Sequence, residues 1–286
     1  MNVAFQGEIG AYSEEAVLAL YPDANVVPQV SFDSVFECTE AGEVERAVIP
    51  IENSLFGSVH VNYDLLSRHE LHIVGEWYLR IQHHLLSIPG SSMEKIRRVY
   101  SHPQAIGQCQ DFLKRYLPHA EAISSYDTAG AAKMVAERQD QSLAAIASHR
   151  ASLEYGLSIL QSGIESNHQN FTRFLALKKL DPSGILPDGL PAPEREEAEM
   201  KTSIMYAVKD NVPGALFKSL AVFALRDLDL FKIESRPLIG RPGSYIFYLD
   251  FKGTTHDEPV KKAIAHLDEI TVDLSVLGSY PQAVIA

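Results

Sequence analysis

The sequence predicts an α/β protein in two units: a large N-terminal unit of alternating strands and helices, then a small C-terminal β-α-β-β-α-β unit. Three observations carry this. Short apolar strand runs alternate with helical patterns through the first 180 residues. The stretch KKLDPSGILPDGLPAPEREEAEM (178–200) breaks all periodicity with four prolines and an acidic run. Two helical patterns set among four strand runs follow it. The expected boundaries are 1–180 for the first unit, 181–200 for a linker and 201–281 for the second unit.

The first strand, VAFQG, feeds the helix SEEAVLALY, with Ser13 as expected N-cap and Glu14 and Glu15 suited to the positive helix end. RAVIPIE is a strand that ends in a polar turn carrying Glu52, Asn53 and Ser54. Leu71 to Ile88 is long enough to run extended from one lobe to another. RRVYSH leads into PQAIGQCQDFLKRYL, AEAISSYD into TAGAAKMVAER, and SLAAIASH into RASLEYGL. Such alternation implies largely parallel strands, with ligands beyond their carboxyl ends. A cleft between two lobes is the expected site. In the second unit, Leu216, Leu220 and Phe223 form one apolar helical stripe, and Pro213 is placed near that helix's first turn.

Composition narrows the function. At 46% apolar and 22% charged, 286 residues read as globular and divisible into two domains. No apolar run reaches the ~18 residues of a membrane span, and MNVAFQG lacks the features of a signal peptide, so no membrane contact and a cytoplasmic location are expected. Cys38 and Cys109 are too few and too distant for a metal knuckle or a disulfide framework. The net charge of −12 argues against nucleic acid. An anionic ligand then needs a local cluster of donors.

Such donors collect at the strand ends. Gly7 and Gly10 bracket a turn before the first helix, without the third glycine of a dinucleotide fingerprint. YSHPQAIGQC contains a capping-box pattern, Ser101 and Gln104, and Gln104 and Gln108 share a helical face. Asp127 or Thr128 caps another helix. NFTRF sets Thr172 and Arg173 between Phe171 and Phe174, and strand alternation puts Thr172 and Arg173 on opposite faces. Five polar turns, neutral but for one arginine, suggest an anion-binding cleft helped by helix N-termini. No serine-triad elbow is present. His83 and His84 point to opposite strand faces and cannot chelate one ion, and RHELH is not a zinc helix motif. No metal, flavin, pyridoxal or nicotinamide signature is visible, so no cofactor is expected.

GAYSEEA, PIENSLFGSV, YSHPQAIGQC, NFTRF, PGAL and ESRP occur in the order seen in prephenate dehydratases, and the sequence resembles that family over nearly its whole length. The resemblance implies a two-lobed catalytic unit similar to type-II periplasmic binding proteins, followed by a ferredoxin-like ACT domain. It implies the decarboxylating dehydration of prephenate to phenylpyruvate, in the biosynthesis of L-phenylalanine. Gain of the aromatic ring drives that reaction without an electron-sink cofactor. Thr172 matches the family's essential threonine, expected to donate a hydrogen bond to the leaving oxygen. Arg173 is expected to orient the substrate through its side-chain carboxylate. Asn53, Ser101 and Gln108 match positions near the substrate, with Ser13, Ser54, Gln104, Thr128 and Phe174 as further binding candidates. The ACT unit implies feedback inhibition by L-phenylalanine bound between two such units, in a homodimer or homotetramer. Asn211, Gly214, Ala215 and Leu216 would supply one side of that site, and Glu234 and Ser235 would face it from the partner chain. Two rivals are an arogenate dehydratase and a non-catalytic, ACT-regulated solute-binding sensor.

Overall fold

The computed structural model describes residues 1–179, 199–208, 213–238, 240–241 and 243–284. Most of the expected linker, and Asn211, lie outside these described residues.

The first lobe contains β1 (Asn2–Gln6), α1 (Tyr12–Leu20), β2 (Asn25–Gln29), α2 (Phe32–Ala41), β3 (Arg46–Asn53), β4 (Gly57–Ser58), α3 (His60–Leu66) and β5 (Leu71–Arg80). The chain then crosses to a second lobe of β6 (His84–Ser87), β7 (Arg98–Ser101), α4 (Pro103–Gln108), α5 (Gln110–Tyr116), β8 (Glu121–Ser124), α6 (Thr128–Arg138), β9 (Leu143–Ala147), α7 (His149–Glu154) and β10 (Ser158–Ser162). β11 (Phe171–Lys179) returns to the first lobe. The sheet orders are β2-β1-β3-β11-β5, with β4 on β3, and β10-β6-β9-β7-β8. The segment from Leu71 to Ile88 thus links the lobes as expected.

The sheets are less parallel than the alternation implied. β1 runs parallel to β2 and β3, and β7 parallel to β8 and β9. β11 is antiparallel to β3 and β5, and β6 is antiparallel to β9 and β10. A strand arriving from the other lobe enters the sheet from the far end, so each crossing reverses direction. Helices still cover the sheets, which is why a strand such as Leu143–Ala147 is buried along its whole length.

The C-terminal unit has β12 (Met200–Val208), α8 (Ala215–Ala224), β13 (Leu230–Pro237), β14 (Tyr245–Lys252), α9 (Glu258–Ile270) and β15 (Thr271–Pro281), with sheet order β13-β14-β12-β15. It is the expected βαββαβ sandwich. Phe223, Val260 and Leu267 fill the space between helices and sheet. Leu216 departs from the predicted buried stripe and is 38% exposed. Pro213 precedes α8, whose N-cap is Gly214 at φ 82°. The other sheet face packs on the first lobe, where Leu277 and Tyr280 join the apolar cluster of Ile51 and Ile73. β15 approaches β5 so closely that a Cβ on Gly278 would sit 2.0 Å from the Ile73 carbonyl oxygen. The Tyr248 hydroxyl donates to the Tyr63 carbonyl at 2.7 Å.

Candidate active site

A cavity of about 640 Å³ opens between the two lobes. The ends of β1, β3 and β11 supply Gln6, Asn53 and Thr172, and the second lobe supplies Gln104, Gln108, Asp127 and Thr128. Tyr12, Ser13, His83, His102 and Phe174 also line it. Asp33 and Asp127 are its acidic residues, and among the described lining residues there is no lysine or arginine.

Thr172 and Asn53 form the centre of the first-lobe wall. They are register partners across β11 and β3. Asn53 Nδ2 donates to Thr172 Oγ1 at 2.9 Å and to Asn170 Oδ1 at 2.8 Å. Its Oδ1 accepts from the backbone N–H groups of Leu55 and Phe56 at 3.0 and 3.1 Å. The Asn53 amide is therefore fully engaged with protein. The Thr172 oxygen is already an acceptor, so its own O–H is left to donate into the cavity. Asn53 thus orients Thr172, where a direct hydrogen bond to substrate was expected.

Arg173 departs furthest from expectation. Alternation along β11 turns it away from the cavity, onto the C-terminal sheet. Its Nε lies 2.7 Å from Glu76, its Nη1 2.6 Å from Asp250 and its Nη2 3.1 Å from the Tyr280 hydroxyl. Lys201 pairs with the same Glu76 at 2.7 Å. Burial opposes the charge on Arg173, but Asp250, Tyr280 and Glu76 more than offset it and hold the pKa well above its ordinary value. Burial and the neighbouring Arg173 pull Lys201 down. Three of its five N–H donors are committed to this cluster, and Arg173 lines no part of the cavity.

Three serines also differ. Ser101 is fully buried and donates to the Ile146 carbonyl at 2.6 Å, outside the cavity lining. It is the last residue of β7, not a cap. Pro103 at the first helical position makes His102 the N-cap, its ring accepting from the Gln104 N–H at 3.3 Å. Ser54 donates to the Gln169 carbonyl and accepts from the Phe171 N–H, both at 3.0 Å, so it ties the start of β11 to β3, outside the cavity lining. Ser13 does line the cavity, but the N-cap of α1 is Ala11, which frees the Ser13 hydroxyl. Gln104, Gln108, Thr128 and Phe174 all reach the cavity. Asp127 caps α6 through the Gly130 N–H. Burial raises its carboxyl pKa, with the Gly130 N–H working against the shift.

The sequence reading missed Tyr12 and His83. Their only signal was position: Tyr12 follows the glycine turn, and His83 sits where the chain changes lobes. The Tyr12 hydroxyl is 2.8 Å from His83 Nδ1 and 2.8 Å from the Gln82 carbonyl oxygen. His83 Nε2 is 2.5 Å from Gln108 Oε1. Burial pushes the His83 pKa down and the Tyr12 pKa up.

In the C-terminal unit, Gly214 and Ala215 stand at the start of α8. Glu234, expected to face a second chain, is engaged within its own. It accepts from the Ser58 hydroxyl at 2.5 Å and lies 3.3 Å from His60, both in its own first lobe. Ser235 follows it on the edge strand β13.

Comparison with known proteins agrees with this architecture. The prephenate dehydratase family model matches residues 3–182. Arogenate dehydratase/prephenate dehydratase 2, chloroplastic, of Arabidopsis thaliana is 46% identical, over 98% of this chain and 73% of its own. A solved prephenate dehydratase from Arthrobacter aurescens, in complex with L-Phe, superposes with a TM-score of 0.87 at 31% identity, covering all of this chain and 93% of that one. GqqA, described as a novel type of quorum quenching acylase, superposes with the same TM-score at 32% identity, covering 98% of both chains. The cytoplasmic expectation is overturned: the Arabidopsis relative, and others at 42% identity, are named as chloroplastic. The first residues of the chain carry no argument about compartment.

Proposed function

The chain belongs to the prephenate dehydratase family, a family of decarboxylating lyases, and we propose that its preferred substrate is L-arogenate, with prephenate accepted beside it. This reverses the expectation from the family resemblance, in which prephenate was the substrate and an arogenate dehydratase the rival. One observation carries the reversal: the described cavity lining holds Asp33 and Asp127 but no lysine or arginine. Prephenate brings two negative charges and no positive one, whereas arogenate brings an ammonium group with its two carboxylates. An acidic cleft with only neutral donors favours the less negative ligand. The plant relatives, named as arogenate dehydratases, support the same order.

In this reading the ring carboxylate leaves as CO₂, its bonding electrons enter the ring, and the C–O bond breaks with its electron pair on the ring hydroxyl, which departs as hydroxide and takes its proton from solvent. Thr172 donates a hydrogen bond to the departing oxygen, and Asn53 fixes the direction of that donation. An arginine locked onto the ring carboxylate would stabilise the ground state and oppose its loss, so its withdrawal from the cleft suits the chemistry. Residues 1–180 form the catalytic unit. Residues 201–281 form an ACT unit that binds L-phenylalanine near Gly214, Ala215, Leu216 and Glu234, within a homodimer or homotetramer. The L-Phe complex of the Arthrobacter relative supports that ligand.

Turnover of arogenate and prephenate measured side by side tests the proposal. Arogenate should show the higher kcat/KM. A prephenate kcat/KM well above that for arogenate refutes the preference, and turnover of neither refutes the dehydratase reading in favour of the sensor.

A further inference from the structure

His83 is a buried imidazole, 2% exposed, whose ring edge lines the cavity while both nitrogens are held by other side chains. Nε2 meets Gln108 Oε1 at 2.5 Å, and Nδ1 meets the Tyr12 hydroxyl at 2.8 Å. An amide oxygen can only accept, so Nε2 carries the ring proton. In a neutral ring Nδ1 is then an acceptor, and it shares the single Tyr12 O–H proton with the Gln82 carbonyl oxygen, each 2.8 Å from the hydroxyl. Burial, which pushes the His83 pKa down, keeps the ring neutral. The result is a directed bond from His83 to Gln108, with the Tyr12 hydroxyl against the other ring nitrogen. It ends with the Gln108 carbonyl oxygen turned inward. The Gln108 amide NH₂ has no partner among the described residues and is left for the cavity. The Gln108 backbone is pinned too, its carbonyl accepting from the Ser166 N–H at 2.8 Å.

We propose that His83 is a positioning residue for the dehydration, fixing the amide of Gln108 so that it offers two N–H donors, and no acceptor, to a substrate carboxylate or hydroxyl. A free glutamine amide flips between donor and acceptor faces, and the acceptor face repels an anion. His83 removes that second state. The proposal rests on the dehydratase reading of the cavity.

A double-variant cycle tests it. H83L should lose about 10-fold to 100-fold in kcat/KM, less than the ~10²–10³ that loss of a positioned donor costs. H83Q, whose amide N–H can still donate to Gln108, should recover part of that loss. The deciding comparison is H83L/Q108A with Q108A alone. If His83 acts through Gln108, the two agree within about twofold, because the positioned group is already gone. Independent, multiplying losses overturn the proposal, as does an H83L enzyme with wild-type kcat/KM. Should H83L fail to fold, H83M replaces it in the same cycle and is read by the same rule. A wild-type enzyme that converts neither arogenate nor prephenate sinks the dehydratase reading instead, so the two failures are distinct.

Discussion

Replacing Arg173 by methionine separates a substrate-binding arginine from a structural one. The wild-type cluster balances two cations, Arg173 and Lys201, against two carboxylates, Glu76 and Asp250, and all four side chains are nearly inaccessible. Without the guanidinium, Glu76 keeps Lys201 at 2.7 Å, but Asp250 keeps only the Ser203 hydroxyl at 2.6 Å. One carboxylate is then buried without a counter-charge, which typically costs about 3–5 kcal/mol. At roughly 2–4 °C per kcal/mol for chains of this order of size, the melting temperature should fall by ~6–20 °C. The double variant R173M/D250L removes both charges and should recover much of the loss. Thermal melts give the first quantity and steady-state kinetics the second, with KM expected to change far less than stability. A variant that melts with the wild type while its KM rises more than about tenfold would place Arg173 on the substrate after all.

Thr172→Val should abolish most turnover, by ~10²–10³ in kcat, while Thr172→Ser keeps appreciable activity because the hydroxyl survives; equal activity of the two variants contradicts the donor role. Asn53→Ala should lower kcat more than it raises KM, because Asn53 touches Thr172, and the opposite split would return it to direct substrate binding. Burial depresses the pKa values of His72, His83, His84 and His102. As pH falls through the ordinary histidine value near ~6.5, the unfolded chain takes up protons that the folded chain refuses, so stability is full above that pH and declines below it. Thermal melts between about pH 8 and 5.5 should show that decline, and a melting temperature that holds or rises on acidification contradicts it.

The division of Thr172 from Arg173 was legible in the sequence, because a strand sends neighbours to opposite faces whatever surrounds it. The destination of Arg173 was not, since Glu76 and Asp250 lie 97 and 77 residues away in sequence. Gln104 and Gln108 were found by helical spacing, and both reach the cavity. Ser101 was misread because its spacing to Gln104 mimics a cap, whereas Pro103 fixes the helix start one residue later than that pattern requires. His83 escaped because the adjacent pair was weighed only as a chelate and set aside, and a lone imidazole gives no hint of the tyrosine and glutamine that hold it. The βαββαβ order could be read from periodicity alone. The packing of its sheet on the first lobe could not, because an apolar strand face does not name its partner.

That packing also gives the C-terminal unit a second hold on the cavity. β13 sends Lys232 to Glu52 at 2.9 Å and to the Ser58 hydroxyl at 3.0 Å, beside Glu234 on the same hydroxyl. Ser58 lines the cavity, and Glu52 precedes the Asn53 that orients Thr172. With L-phenylalanine bound near Gly214 and Glu234, as proposed, any shift of β13 reaches the β3–β4 hairpin through Lys232. Lys232→Met should therefore leave L-phenylalanine binding nearly intact in calorimetry while weakening its inhibition of turnover. Couplings of this kind are usually ~1–3 kcal/mol, a 5-fold to 150-fold effect. Linkage adds an independent check: substrate should weaken L-phenylalanine binding in the wild type, and weaken it less in K232M. If inhibition and that mutual antagonism both survive the substitution unchanged, the signal does not pass through this hairpin, and the Arg173 cluster behind Thr172 is left as the connection to test.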